Sequence, residues 1–244
     1  MKKIFNVGNR VMNTYVYHTS SGYVMVDTGY RHSLKSVEEK LKKFNISLME
    51  IKYLFLTHAH DDHAGFLNEL LIKNKELKVI MSAKAMPTLK RGHNPFNGAC
   101  SGFVALIFCR LMAIFGNADH RFPRIEDKHD NRLIIINDKN KSELEDLLQG
   151  KILFTPGHTE DSISLKKDNI IFCGDAAMNG FPSIKRVIIW IEDKEQFEQS
   201  WNVLIAEDAE MIYPAHGKPF NKNDLIRFKN TIKRIKMYLL KTER

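Results

Sequence analysis

The chain has 244 residues, 43% of them hydrophobic and 27% charged, a globular balance that excludes a disordered or fibrous protein and leaves room for one domain with a sizeable core. A formal net charge of +8 would attract anionic small molecules, lipid surfaces or nucleic acid, but the lysines are scattered (Lys35, Lys40, Lys42, Lys43, Lys73, Lys75, Lys166, Lys167) with no long basic run. The charge therefore reads first as a solubility feature, and no nucleic-acid partner is expected. Cys100, Cys109 and Cys173 are an odd set without finger spacing, which excludes a disulfide framework and points to a reducing compartment, the cytoplasm by default.

The opening Met1-Lys2-Lys3-Ile4-Phe5-Asn6 is basic but at once interrupted by polar residues, so no secretory signal is expected. Alternating and β-branched residues predict strands near 3–8, 12–18 and 22–27. A helix is predicted over 33–44, where Leu34, Val37, Leu41 and Phe44 recur at three- and four-residue steps and Ser33 can cap the start. Tyr53-Leu54-Phe55-Leu56 reads as a short apolar strand running into a loop full of titratable groups, followed by a helix carrying Phe66, Leu67, Leu70 and Leu71. Further strands are expected near 132–136, 151–154, 162–166, 170–173 and 210–213, with helices near 194–207 and 223–240. Strands that lead into polar loops and then helices, in both halves, predict an α/β chain with two sheets face to face and helices outside, a four-layer αββα sandwich. No composition shift divides residues 1–244, which read as one domain. Residues 84–130 fit the plan least and are expected to be a helical insertion or lid. Within them, 102–116 is apolar but broken by Arg110 and shorter than the ~20 residues a spanning helix needs.

Chemistry concentrates at Thr57-His58-Ala59-His60-Asp61-Asp62-His63. Three imidazoles and two carboxylates so close together would be a costly core without partners, and they suit a cation, zinc by default with iron or manganese as alternatives. In an extended loop His58 and His60 point the same way and can chelate one ion, while the turn into the helix carries Asp62 and His63 toward a second. Three later loops each place one donor just past an apolar strand: His158 after Thr155-Pro156-Gly157, Asp175 after Cys173-Gly174, and His216 after Pro214-Ala215. Asp27, in Val26-Asp27-Thr28-Gly29, reads either as a residue orienting the histidine loop or as a simple Asx turn.

With the HxHxDH motif at His58, His60, Asp62 and His63 and later ligands at His158, Asp175 and His216, the chain resembles the metallo-β-lactamase superfamily over nearly its whole length outside 84–130. The resemblance implies the αββα sandwich and two divalent metal ions. His58, His60 and His158 would hold the first, Asp62, His63 and His216 the second, and Asp175 would bridge them. True zinc β-lactamases have cysteine where Asp175 stands, so the resemblance points to the glyoxalase II and lactonase-like branch. Two ions sharing one water lower its pKa toward neutrality. The expected function is therefore hydrolysis, by a hydroxide bridging the metals, of an ester-like carbonyl bond in a lactone or thioester, with Asp62 as the catalytic carboxylate. The alternative is a phosphodiesterase of the same fold; a β-lactamase, a diiron oxidoreductase and a non-catalytic metal-binding module rank behind it. The expected partner is a small-molecule substrate, with or without an acyl chain. Segment 102–116 reads first as core, with a lid, a homodimer interface or a membrane-surface helix as alternatives. His93, His120, Arg121, Arg124 and His129 flank it and read as ordinary surface residues.

Overall fold

A computed structural model describes residues 3–115 and 119–240. Met1-Lys2 and the Gly116-Asn117 junction, on which parts of the reading above fell, lie outside the described residues. The strands are β1 (Ile4–Asn6), β2 (Tyr15–Thr19), β3 (Gly22–Val26), β4 (Ile51–Phe55), β5 (Lys78–Met81), β6 (Ala99–Cys100), β7 (Leu133–Ile135), β8 (Lys151–Phe154), β9 (Ile163–Lys167), β10 (Ile170–Gly174), β11 (Trp190–Ile191), β12 (Met211–Pro214) and β13 (Phe220–Asn221). The α-helices are α1 (Leu34–Lys43), α2 (Leu67–Lys73), α3 (Met86–Arg91), α4 (Phe103–Ile114), α5 (Lys141–Leu148), α6 (Lys194–Ala206) and α7 (Asn223–Arg234). None of the described helices is long and apolar enough to cross a membrane. The chain divides into two compact units, 1–94 with 121–152 and 95–120 with 153–244.

The first unit holds a six-stranded sheet in the order β1-β2-β3-β4-β5-β7. Its β3, β4, β5 and β7 run parallel, and the continuous apolar run Val79-Ile80-Met81 in β5 is fully buried, as strands covered on both faces require. Leu34, Val37 and Leu41 of α1 and Leu67, Leu70 and Leu71 of α2 lie in one core with Leu54, Leu56 and Phe66. That core is why both helices repeat at three- and four-residue steps.

The second unit holds a five-stranded sheet in the order β13-β12-β10-β9-β8. β10 is buried along its whole length, with β9 antiparallel on one side and β12 parallel on the other. Asp193 caps α6 by accepting from Gln196 N at 2.9 Å, and Phe197, Trp201 and Leu204 of that helix join Ile171, Ile212 and Leu225 in a second core. The short β6 pairs with β11 in this unit.

Several expectations are corrected. β5 is a strand that the sequence reading left out, and the last helix ends at Arg234 instead of 240. Past it, Lys194 Nζ holds the Lys233 and Ile235 carbonyls, and Tyr238 exchanges two backbone hydrogen bonds with Cys100, which claims the chain for extended pairing. Ser33 occupies the cap position of α1 without capping it, because its hydroxyl donates to Tyr30 O at 2.6 Å. Helix α4 is not core: among its apolar side chains only Ala105 and Leu106 are buried. His129 is buried, not superficial.

Candidate metal centre

In the first unit the parallel register of β3 and β4, with Val26 beside Phe55, brings Asp27 next to Thr57 just past the strand ends. The Asp27 carboxylate accepts from Thr57 N at 2.7 Å and Thr57 Oγ1 at 2.8 Å, and its Oδ2 lies 2.8 Å from His63 Nδ1. A buried carboxylate there accepts a hydrogen bond from Nδ1–H, so the outward Nε2 is left as the ligand atom. Thr57 Oγ1, whose hydroxyl donates to Asp27, lies 3.1 Å from His58 Nδ1 as an acceptor and directs that ring in the same way. His60 O accepts from His63 N and Ala64 N at 3.0 and 2.8 Å, a helical turn that sets the His58 ring edge-on to His60 and tilted against His63, with ring centroids 4.7 and 3.8 Å apart. The turn closes over Gly65, where any β-carbon would overlap Asp61 O, Arg31 N and Gly29 O. Asp62 Oδ1 lies 3.8 Å from His63 Nε2. The neighbouring Asp61 instead exchanges hydrogen bonds with Asn94, which fixes the loop.

In the second unit β8 runs into Thr155-Pro156-Gly157. Gly157 has φ +126, and a β-carbon on it would overlap the Phe197 backbone, so the close turn that presents His158 requires glycine. His158 Nδ1 lies 2.8 Å from Trp190 O, again leaving Nε2 to face a ligand. Gly174 and Pro214 are register partners on β10 and β12, so Asp175 and His216 emerge at the same sheet edge. Asp175 Oδ2 stands 3.5 Å from both His158 Nε2 and His216 Nε2.

These spacings suit a metal. Two ligand atoms bound at about 2.0–2.2 Å around a tetrahedral ion sit about 3.3–3.6 Å apart, and 3.5 Å is beyond a good hydrogen bond. Among the described residues, histidine and aspartate ligand atoms form three groups able to hold a metal ion, and His58, His60, Asp62, His63, His158, Asp175 and His216 each take part in at least one. The flanking residues do not join these groups. His93 and Arg121 pair through their backbones, the His120 ring packs on Phe96 at 4.6 Å, and His129 lies against Arg132. Burial, helped by the Arg132 and Lys128 charges, pulls the His129 pKa down.

Two residues beside His158 escaped the sequence reading. Trp190 Nε1 is buried with no hydrogen-bond partner among the described residues, while the Glu192 carboxylate accepts from Glu160 N at 3.1 Å and interacts with the Asn97 backbone N–H. Burial pushes the Glu192 carboxyl above the ordinary carboxylate range, against the lowering effect of the Glu160 N–H. Neither residue belongs to a motif, and no signal short of the β6–β11 pairing would have found them.

A chain with two such sheets and an HxHxDH loop past a parallel strand belongs to the metallo-beta-lactamase superfamily, which it matches over residues 7–216. It is similar to the metallo-beta-lactamase fold-containing protein ST1585 of Sulfurisphaera tokodaii, 26% identical over 80% of this chain and 68% of that protein. It is also similar to a beta-lactamase-like protein 2 homolog of Caenorhabditis elegans, 24% identical over 86% of this chain. This chain spans 57% of that worm protein's length. Among solved structures, a motif mutant of a metallo-beta-lactamase from Cronobacter sakazakii superposes with a TM-score of 0.65 at 18% identity, over 95% of this chain and 91% of the other, which shows the fold.

Proposed function

We propose that the chain is a dinuclear metal-dependent hydrolase of an ester-like carbonyl bond, a lactone or thioester. The observation that carries this reading is Asp175 Oδ2 lying 3.5 Å from both His158 Nε2 and His216 Nε2. An oxygen placed between two imidazole nitrogens suits a bridging ligand. His58, His60 and His158 would hold one ion and Asp62, His63 and His216 the other. Divalent ions bound there, zinc first with iron or manganese as alternatives, would polarise the carbonyl and lower the pKa of water. Asp27 and Trp190 O keep the His63 and His158 Nε2 atoms facing the centre. Asp62, whose side chain is 14% exposed, accepts a proton from the attacking water and returns it to the leaving group. Phe96, whose ring is 5.6 Å from that of Trp190, brings the 84–130 stretch beside His158, as a lid that selects substrate would need.

The test is initial rates of the metal-loaded chain on an acyl-lactone, an acyl-thioester, nitrocefin and a bis-aryl phosphodiester, with His158→Ala as the blank. Carbonyl turnover that disappears in His158→Ala is expected. Phosphodiester turnover alone would overturn the assignment and favour the phosphodiesterase reading.

A further inference from the structure

The second unit carries an apolar surface that neither its core nor the metal centre uses. Helix α4 buries Ala105 and Leu106 beneath it with Cys100 and turns Phe103, Ile107, Leu111 and Ile114 outward, at 60%, 42%, 47% and 75% exposure. These positions follow helical steps, so they form one continuous row. Phe108 meets Phe181 with ring centroids 6.0 Å apart, and Phe181 is itself 84% exposed, which extends the surface onto the loop after β10. Beyond Phe103 the row reaches the Tyr238 ring at 6.2 Å and exposed Leu239. An apolar patch of this extent marks an interaction site.

Its charge is of one sign. No Asp or Glu occurs from Leu77 to Ala118 or from Ala176 to Ile191. Arg110, on the same face of α4 as the row, Lys185 beside Ile184 and Lys236 beside Tyr238 are exposed; Arg186 is spent on Asp224 at 2.7 Å. A second copy of the same face would set these cations against one another. An anionic bilayer instead offers acyl chains to the row and phosphates to the cations.

We propose that this face of the second unit docks on an anionic phospholipid surface, with α4 lying in the interface plane. At about 18 Å, α4 is too short to span and fits lying flat.

The experiment is flotation of the full metal-loaded chain with phosphatidylcholine vesicles and with vesicles containing about one third phosphatidylglycerol. Binding to the anionic vesicles at least about tenfold tighter than to the neutral ones, and weakened by salt, is expected. The double variant Leu111→Asp/Ile114→Asp should lose binding while keeping its melting temperature, because both side chains are already exposed; Arg110→Glu/Lys185→Glu should lose the anionic preference. Absence of vesicle binding, equal binding to neutral vesicles, or retained binding in the first variant would each overturn the proposal. So would a dimer in light scattering that Leu111→Asp abolishes without any vesicle binding, which would make the face an interface between copies.

Discussion

His63 Nδ1 and Asp27 Oδ2 lie 2.8 Å apart, with side chains 0% and 3% exposed, in a pairing that joins the end of one strand to a turn 36 residues further along. Asp27 has φ +58, a conformation asparagine tolerates, so Asp27→Asn removes the charge while sparing the backbone. Metal affinity is expected to fall about 10- to 100-fold, measured by competition with a chromophoric chelator. Unchanged affinity would mean that Asp27 is only a turn residue.

Removing metal should destabilise the folded chain, since the ligands bind it only when assembled. With free metal about a hundredfold above its dissociation constant, the linkage amounts to about 2.7 kcal/mol. A melt with and without chelator reads this as a lower transition temperature, and His158→Ala should narrow the gap.

Gly157→Ala tests the turn that presents His158. At φ +126, with the Phe197 backbone where a β-carbon would go, the substitution is expected to cost about 1–3 kcal/mol in urea unfolding. A neutral result would show that α6 can shift.

Trp201 is fully buried and its Nε1 donates to Ala176 O at 2.7 Å. Trp201→Phe leaves that carbonyl unpaired and should cost about 1–3 kcal/mol by the same measurement, whether or not metal is bound.

Cys109 is the thiol expected to react. The Cys100 side chain donates to it and lowers its pKa against the opposing effect of burial, while Cys100 is pushed up, first by the same hydrogen bond. Alkylation followed by mass spectrometry at neutral pH should label Cys109 ahead of buried Cys100 and Cys173.

The ligand loops were readable because each donor follows a short apolar strand, and an edge crowded with histidine and aspartate has few physical alternatives to a cation. Helices α1 and α2 were readable because one face of each is apolar at helical spacing. The Asp27–His63 bond was open between two readings, since local sequence cannot say that β3 and β4 lie side by side. Trp190 and Glu192 were invisible for the same reason: what places them by His158 is pairing between β11 and the distant β6. Helix α4 misled because its composition is that of a core helix, and composition does not say which face the rest of the chain covers.

The two units exchange the chain three times, at 94/95, 120/121 and 152/153. Neither can be obtained by a single cut, and a nascent chain emerging from the ribosome cannot finish the first sheet until β7 has followed α4 out of the exit tunnel. For some seconds of synthesis at about 5–20 residues per second, the edge of β5 that later pairs with β7 stands open, an unpaired row of backbone groups of the kind that invites pairing with another chain.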